Sequence, residues 1–228
     1  MRVHHPSTVH EAVELRHRFE DSAYLAGGTE ILRLNGKNAE DIIDISSLVS
    51  DRIEERDGKL YIGALVTLES LLNADSVPAF LKEAAAFCFS FEKRNSATVG
   101  GNLAARRSDS YLAAAFASAE ADVVLECEKG EKVKRLKEYL SKDCRALIKY
   151  IVVDKDRTGF VKRFGRTQST HATLIAASSC GVYALSSSSS PLAVGTTPDI
   201  YKEIEFKSDL EGSAEYKRYL ASVVFEEV

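Results

Sequence analysis

Apolar positions fall in short bursts along the chain, punctuated by Gly, Pro, Asp and Ser. Residues 2–5 (RVHH) predict a strand stopped by Pro6, after which Ser7 or Thr8 can cap a helix whose apolar face carries Val9, Ala12 and Val13, with Phe19 near its end. Residues 23–26 (AYLA) form a second strand that runs into Gly27-Gly28, and residues 41–45 (DIIDI) a third, giving a small βαβ-type lobe. The texture then changes. Residues 52–57 and 59–64 predict a hairpin around Asp57-Gly58, and 67–73 and 78–90 helices. A Gly-rich segment follows at 96–102, then a helix capped by Ser108 and running through Ala117. A second hairpin turns at Lys129-Gly130, and a helix at 136–140 leads to a strand over Ala146–Val153, completing an α+β lobe with a mainly antiparallel sheet. Beyond about residue 155, Phe160–Arg166 and Ala172–Leu185 pair as a hairpin. The five serines at 186–190, followed by Pro191, predict a mobile loop. Residues 213–225 close as a helix with Tyr216, Tyr219, Leu220, Val223 and Val224 on its buried face.

Composition narrows the function classes. The chain has 228 residues, 45% hydrophobic and 28% charged, enough apolar content for a sizeable core. A net charge of -4 argues against a nucleic-acid binder working through a basic face. No apolar run approaches the length of a membrane span and the first residues lack a signal-peptide core, so a cytoplasmic location is expected. Cys88, Cys127, Cys144 and Cys180 form no C-x-x-C pair, and the five histidines show no metal spacing, so no metal centre is expected.

The informative features are two glycine-rich loops, LAGGTEIL (25–32) and ATVGGN (97–102). Glycine permits positive φ and close approach of backbone to ligand, and successive exposed N–H groups make a concave anion site. Thr29, Thr98 and the Asn102 amide add donors. Two such loops face to face suit a diphosphate, as in a dinucleotide such as FAD. Taken alone, each loop is a weak signal, since a Gly-Gly pair is more often just a tight turn. Neither is the G-x-G-x-x-G fingerprint nor a P-loop. Arg106-Arg107 can touch phosphate or form a solvated pair, and Asp109 can serve a helix start or accept from a ligand hydroxyl.

Taken in order, six segments resemble the medium, FAD-binding subunit of molybdenum hydroxylases, the xanthine dehydrogenase and carbon monoxide dehydrogenase flavoprotein family. They are LAGGTEILRLNGK, DIIDISSL, LYIGALVTLESL, RNSATVGGNLA, SDSYLAAAFASAEADVVLE and SDLEGSAEYKRYLASVV. The resemblance implies an α+β fold: a two-lobed vanillyl-alcohol-oxidase-like (PCMH-type) FAD-binding domain, lobes 1–50 and 51–154, plus a shortened C-terminal α+β lobe, 155–228. It implies that the backbone of Ala26, Gly27, Gly28, Thr29 and Glu30, and of Thr98, Val99, Gly100, Gly101 and Asn102, holds the FAD diphosphate. Leu25, Ile31 and Leu32 would line the first loop, Ala64 and Thr67 would lie near the nucleotide, Asp109 would take a flavin-side or ribose hydroxyl, and Lys162 would approach the flavin. It further implies an oxidoreductase component with no catalytic side chain of its own, passing electrons from the [2Fe–2S] clusters of a small subunit to NAD+ or another acceptor, alongside a molybdopterin-binding large subunit.

The chain departs from the family pattern at three places. The link from Asn102 to Ser108 is about two residues short, His171 stands where an acidic residue is usual, and SSSSSPLAVGTTPD replaces a helical part of the last lobe. These departures keep open a degenerate assembly subunit without flavin. A stand-alone FAD oxidase would need a larger substrate domain than the last 70 or so residues supply.

Overall fold

The computed structural model describes residues 1–31 and 39–226. Leu32, expected to line the first glycine loop, lies outside the described residues.

Three sheets follow one another along the chain. The first is parallel, in the order β1 (Arg2–His4), β3 (Asp41–Asp44), β2 (Ser22–Leu25). Helix α1 (Val9–Arg18) joins β1 to β2. Of the two candidate caps, Thr8 is the one used: its Oγ1 accepts from the Glu11 N–H at 3.1 Å, while the Glu11 carboxylate accepts from the Ser7 N–H at 2.7 Å. Ala12 and Val13 bury against Ile43, Ile45 and Leu147, and Leu147 belongs to the next sheet, so this small lobe is packed onto its neighbour.

The second sheet is antiparallel, in the order β4 (Ile53–Arg56), β5 (Lys59–Gly63), β8 (Leu147–Asp154), β6 (Asp122–Cys127), β7 (Gly130–Arg135). Asp57 (φ 50) and Gly58 (φ 74) both sit at positive φ in the β4–β5 turn, the conformation that makes this pair a hairpin signal. One face of the sheet carries Leu60, Ile62, Val123, Leu125, Ile151 and Val153, buried under helices α2 (Leu68–Asn73), α3 (Ala79–Ala86), α5 (Val99–Ala104) and α6 (Ala113–Ser118). Helix α7 (Leu136–Ser141) follows β7.

The third sheet runs β12 (Ser190–Gly195), β11 (Val182–Ser187), β10 (Leu174–Ser179), β9 (Gly159–Phe164), all antiparallel. Strand β10 is buried throughout, and its side chains alternate between two cores: Ile175 and Ala177 join α6 and the large core, while Leu174 and Ala176 join α8 (Ala214–Glu226). The sequence AAAFAS of α6 suits its place between two sheets, because alanines admit close approach and Phe116 fills the remaining space at 0% exposure.

Several expected elements are corrected. The single strand over 172–185 is a hairpin, turned by Cys180 (φ 48) and Gly181 (φ 79). The serine run is not a mobile loop: Ser186 and Ser187 end β11, Ser190 begins β12, and all three are buried. Serine side chains are small enough to fit beneath the chain, and Ser190 donates to the Glu205 carbonyl at 2.9 Å. Helix 78–90 stops at Ala86, and a short helix α4 (Phe91–Ser96), capped by Ser90, stands where no helix was expected. The segment 96–102 becomes helical from Val99. Ser108 does not cap α6; the Ser110 hydroxyl accepts from the Ala113 N–H at 3.2 Å instead. On α8 the buried face is Lys217, Leu220, Ala221, Val224 and Phe225, leaving Tyr216 and Tyr219 exposed. Periodicity alone misplaced that face because a lysine takes part in it.

Candidate functional site: a cleft between two glycine loops

The first glycine loop leaves the C-terminal end of β2 and meets the α4–α5 junction. A Cβ on Gly27 would lie 1.6 Å from the Ser96 carbonyl oxygen, so only glycine allows this contact. Gly28 adopts φ 70, the left-handed conformation that turns the chain back over the cleft. Gly28 and Gly101 line one cavity of about 300 Å3, with Ala26, Thr29, Glu30 and Ile31 from the first loop and Asn102 and Asp109 from the second region. An adjoining hollow shares Thr29, Lys93, Tyr111 and His171 with it and extends the cleft towards the last lobe.

The two loops differ in their free donors. In the second, every amide after Thr98 is committed: Val99 N–H donates to Val66 O at 2.8 Å, Gly100 to Ala64 O at 3.0 Å and Asn102 to Thr98 O at 2.9 Å. Gly101 N–H donates to Thr98 Oγ1 at 3.0 Å, since Thr98 caps α5. The amides of Val99–Asn102, expected to meet a diphosphate, thus donate within the protein, while Gly101 and Asn102 line the cavity. What this region offers is the Asn102 side chain: its Oδ1 accepts from Ser110 and Leu112, which turns Nδ2 outward as a donor. In the first loop, by contrast, no described residue accepts from the backbone N–H of Gly27, Gly28, Thr29 or Glu30.

Several expected contacts lie outside the cavity wall. Leu25 belongs to β2, paired with Asp44. Ala64 and Val99 are core residues, and Gly100 is a glycine because a Cβ there would meet the Ala64 methyl at 2.7 Å. Thr67 caps α2, accepting from Ser70 N–H at 3.0 Å. Lys162 is exposed on β9 opposite Ala176, on the sheet face opposite to that of its buried neighbour Val161.

The cleft carries a charge network that the sequence left open. Arg107 is held by two carboxylates at once. Its Nη1 donates to Glu30 of the first loop at 2.8 Å, and its Nε and Nη2 fork onto Asp109 at 2.7 and 2.9 Å. His171, from the last lobe, pairs with the same Asp109 carboxylate. Burial alone would push the Asp109 carboxyl up; Arg107, then His171, outweigh it and hold the group below the ordinary range. At the other end, Arg106 adopts φ 48, stacks on Tyr139 at 4.5 Å and donates to Asp143 at 3.0 Å. Arg107, His171, Arg16, Arg145 and Tyr24 all line this cleft, and sequence reasoning assigned none of them there. The Arg-Arg pair was the only signal for one of them.

Residues 1–153 match the family described as the FAD binding domain in molybdopterin dehydrogenase, and the chain belongs to that family. Among curated relatives, the uncharacterized protein YgfM of Escherichia coli K12 is 33% identical over 175 residues, 75% of this chain and 66% of that protein. The FAD-subunit of nicotinate dehydrogenase from Eubacterium barkeri is 29% identical over 143 residues, 59% of this chain and 48% of that one. The medium chain of carbon monoxide dehydrogenase from Hydrogenophaga pseudoflava is 32% identical over 137 residues, again 48% of its length. The matches thus span from half to just under two thirds of these relatives. In fold, a chain of the solved Hydrogenophaga pseudoflava carbon monoxide dehydrogenase superposes with a TM-score of 0.88 at 22% identity, over 100% of this chain and 95% of that one. A chain of quinoline 2-oxidoreductase from Pseudomonas putida 86 gives 0.86 at 16% identity, over 100% and 95%. The mixed helix-and-sheet architecture is that of these oxidoreductase chains. None of the described helices is long and apolar enough to cross a membrane.

Proposed function

We propose that this chain is the FAD-carrying electron-transfer component of a molybdenum hydroxylase. The observation that carries the reading is the shared cleft, with a row of main-chain amides on one wall from which no described residue accepts. Residues 1–50 and 51–154 would be the two lobes of a PCMH-type domain, and 155–228 a third lobe closing one end. Gly27 to Glu30 would hold the diphosphate through their N–H groups, with the Thr29 hydroxyl and Asn102 Nδ2 as further donors. Lys93 and Arg107 would balance its charge. Ala26, Ile31, Ala97, Ala104 and Ala105 would exclude water along the walls. The cleft fits such a group: it is apolar in part, and at the glycine turn it presents main-chain and hydroxyl donors, with the Glu30 carboxylate neutralised by Arg107.

FAD, when bound, supplies the exchange between single electrons from partner [2Fe–2S] clusters and two-electron delivery to NAD+ or another acceptor. The chain's own work is orientation. Arg107 would hold the first loop to the α5–α6 link through Glu30 and Asp109. Asp109, whose two oxygens already take bonds from Arg107 and His171, would accept a ribose or flavin-side hydroxyl at the remaining lone pair of Oδ1. A molybdopterin-binding large subunit and a [2Fe–2S] small subunit would complete the complex.

A second reading, an assembly subunit without flavin, is favoured by one observation: the second loop's amides are all committed internally. FAD titration of the purified chain, followed by flavin fluorescence and visible absorbance, separates the two. Saturable binding with a yellow product is expected; absence of binding, with the protein folded by circular dichroism, overturns the flavin reading.

A further inference from the structure

Helix α4 carries two of the groups that shape the cleft, yet no apolar side chain seats it. Lys93 lines both hollows, and the carbonyl of Ser96, at the end of the helix, is the surface against which Gly27 rests. None of its six residues is buried. The phenylalanines around its N-terminal end, Phe89 and Phe91, are 60% and 57% exposed. A helix this short has little stability of its own, so polar contacts outside it must fix its position.

One side chain supplies most of them. Arg94 Nε donates to Glu69 Oε2 of α2 at 2.5 Å. Its Nη1 donates to the carbonyls of Cys88 and Phe89, just beyond α3, at 2.9 and 3.1 Å. A single guanidinium thereby ties α4 to α2 and to the chain leaving α3, a task suited to its rigid fork of donors. The pair is shielded, with 15% and 18% of the two side chains exposed. Asn73 Nδ2 donates to the other Glu69 oxygen at 3.0 Å, so the carboxylate is fixed as well. Beyond Arg94, the Ala97 carbonyl accepts from Leu68 N–H at 2.9 Å, again on α2. Successive helical residues point about 100° apart. With Arg94 anchored to α2 and α3, Lys93 faces the cleft, its ammonium 5.5 Å from the centre of the Tyr111 ring. Neither Arg94 nor Glu69 lines the cleft itself.

We propose that Arg94 and Glu69 are positioning residues: a clamp on α4 that sets the spacing between the α4–α5 junction and the first glycine loop, and aims Lys93 at the diphosphate. The identity of the ligand rests on the flavin reading, while the hold on the loop is a property of the unloaded chain. The clamp and plain electrostatics differ in sign. Glu69→Gln removes a negative charge, which by Coulomb attraction alone favours an anionic ligand. Acting through α4, the same change releases Arg94, lets the junction drift and turns Lys93 out of line, so it weakens binding.

The test titrates the full chain with FAD by fluorescence at several salt concentrations, with circular dichroism to check that each variant is folded. The expected result is an affinity lower by about tenfold in Glu69→Gln. Arg94→Lys, which keeps the charge and part of the bonding, should lose less, and it carries the same comparison if Glu69→Gln does not fold. The fall of affinity with added salt should flatten in Glu69→Gln as it does in Lys93→Gln, because both take the ammonium away from the diphosphate. A change in stability alone leaves that slope intact. Hydrogen exchange of the unloaded chain is the second readout: amides of 26–31 and 91–98 should exchange about fivefold faster in Glu69→Gln, with those of β9 to β11 unchanged. Unchanged or tighter FAD binding in Glu69→Gln, a salt slope equal to that of the wild type, or faster exchange spread evenly over the chain would each overturn the proposal. Should the wild type itself bind no FAD, the flavin reading falls and the exchange pattern decides the clamp: faster exchange confined to the two segments upholds its hold on the loop, and no such difference overturns it.

Discussion

Adding one methyl group at Gly27 should damage cofactor binding more than folding. An ideal Cβ there lies 1.6 Å from the Ser96 oxygen and 2.7 Å from the Ser96 carbonyl carbon. A carbon–oxygen contact needs roughly 3.2 Å or more, so one side must withdraw by about 1.5 Å. The junction cannot give easily. Ala97 N–H donates to Lys93 O at 2.7 Å, the Ala97 carbonyl accepts from Leu68 N–H at 2.9 Å, and Ala97 is 6% exposed. The loop therefore moves, into the cleft or away from it, and carries the Gly28–Glu30 amides with it. Overpacking of this kind costs about 1–3 kcal/mol. In the free protein the loop can relieve much of it by swinging out. In the complex it must return, so the cost reappears as a loss of FAD affinity of roughly ten- to a hundredfold. Gly58→Ala is the control: its φ of +74 makes alanine cost about 1 kcal/mol of stability, yet nothing lies within 4 Å and the site is remote from the cleft. Fluorescence titration with FAD, paired with urea unfolding of both variants, provides the measurement. Gly27→Ala binding FAD within about twofold of wild type would refute the argument that loop spacing sets the grip.

Two further outcomes follow from the charge network and the buried lysine. Lys217 is 0% exposed and its ammonium contacts Asp209 at 2.6 Å, Ser189 at 3.0 Å and the Lys207 carbonyl at 2.9 Å. Asp209→Asn should therefore lower stability in urea by about 3–5 kcal/mol, because it strands a buried cation, and more than Lys217→Met, which leaves a carboxylate with 28% of its side chain in water. Asp109 is held below the ordinary carboxyl range, so its bonds contribute stability above the unfolded value of about 4, and that contribution fades as pH falls through the lower folded value. Asp109→Asn should thus be less stable than wild type at neutral pH, with the gap narrowing below about pH 4; a gap that widens on acidification contradicts the sign.

Element types were legible where local chemistry decides them. Asp57-Gly58 marked a hairpin and the β-branched pair Ile42–Ile43 a strand, because turn geometry and side-chain branching act over few residues. The serine run misled because low complexity says how little a segment needs to be packed, not whether neighbours cover it. Here β10 and the 205–209 segment enclose it, with Ser188 donating to Asp209 at 2.6 Å and Ser189 to the Lys207 carbonyl at 2.8 Å. Lys217 misled for the same reason: a lysine on an apolar face is read as a break in the face unless its counter-charge, eight residues earlier on the far side of a bend, is known. The Arg107 network draws on residues 30, 107, 109 and 171 and has no local period to detect.

The two glycine pairs look alike in sequence and do different work. Gly100 lets α5 settle on Ala64, where its N–H donates to the Ala64 carbonyl at 3.0 Å and a Cβ would meet the Ala64 methyl at 2.7 Å. Gly27 lets the first loop touch the junction just before that helix, and Gly28 turns its amides outward. The second pair therefore builds the floor, and under the proposed function the first would provide the grip. A methyl on Gly100 has to be accommodated in the folded core, so its cost should fall on stability whether or not a dinucleotide is present. A methyl on Gly27 falls on a loop with space beside it, so its cost is deferred to binding. That division follows from where the amide hydrogen bonds go, which residue identity alone does not reveal.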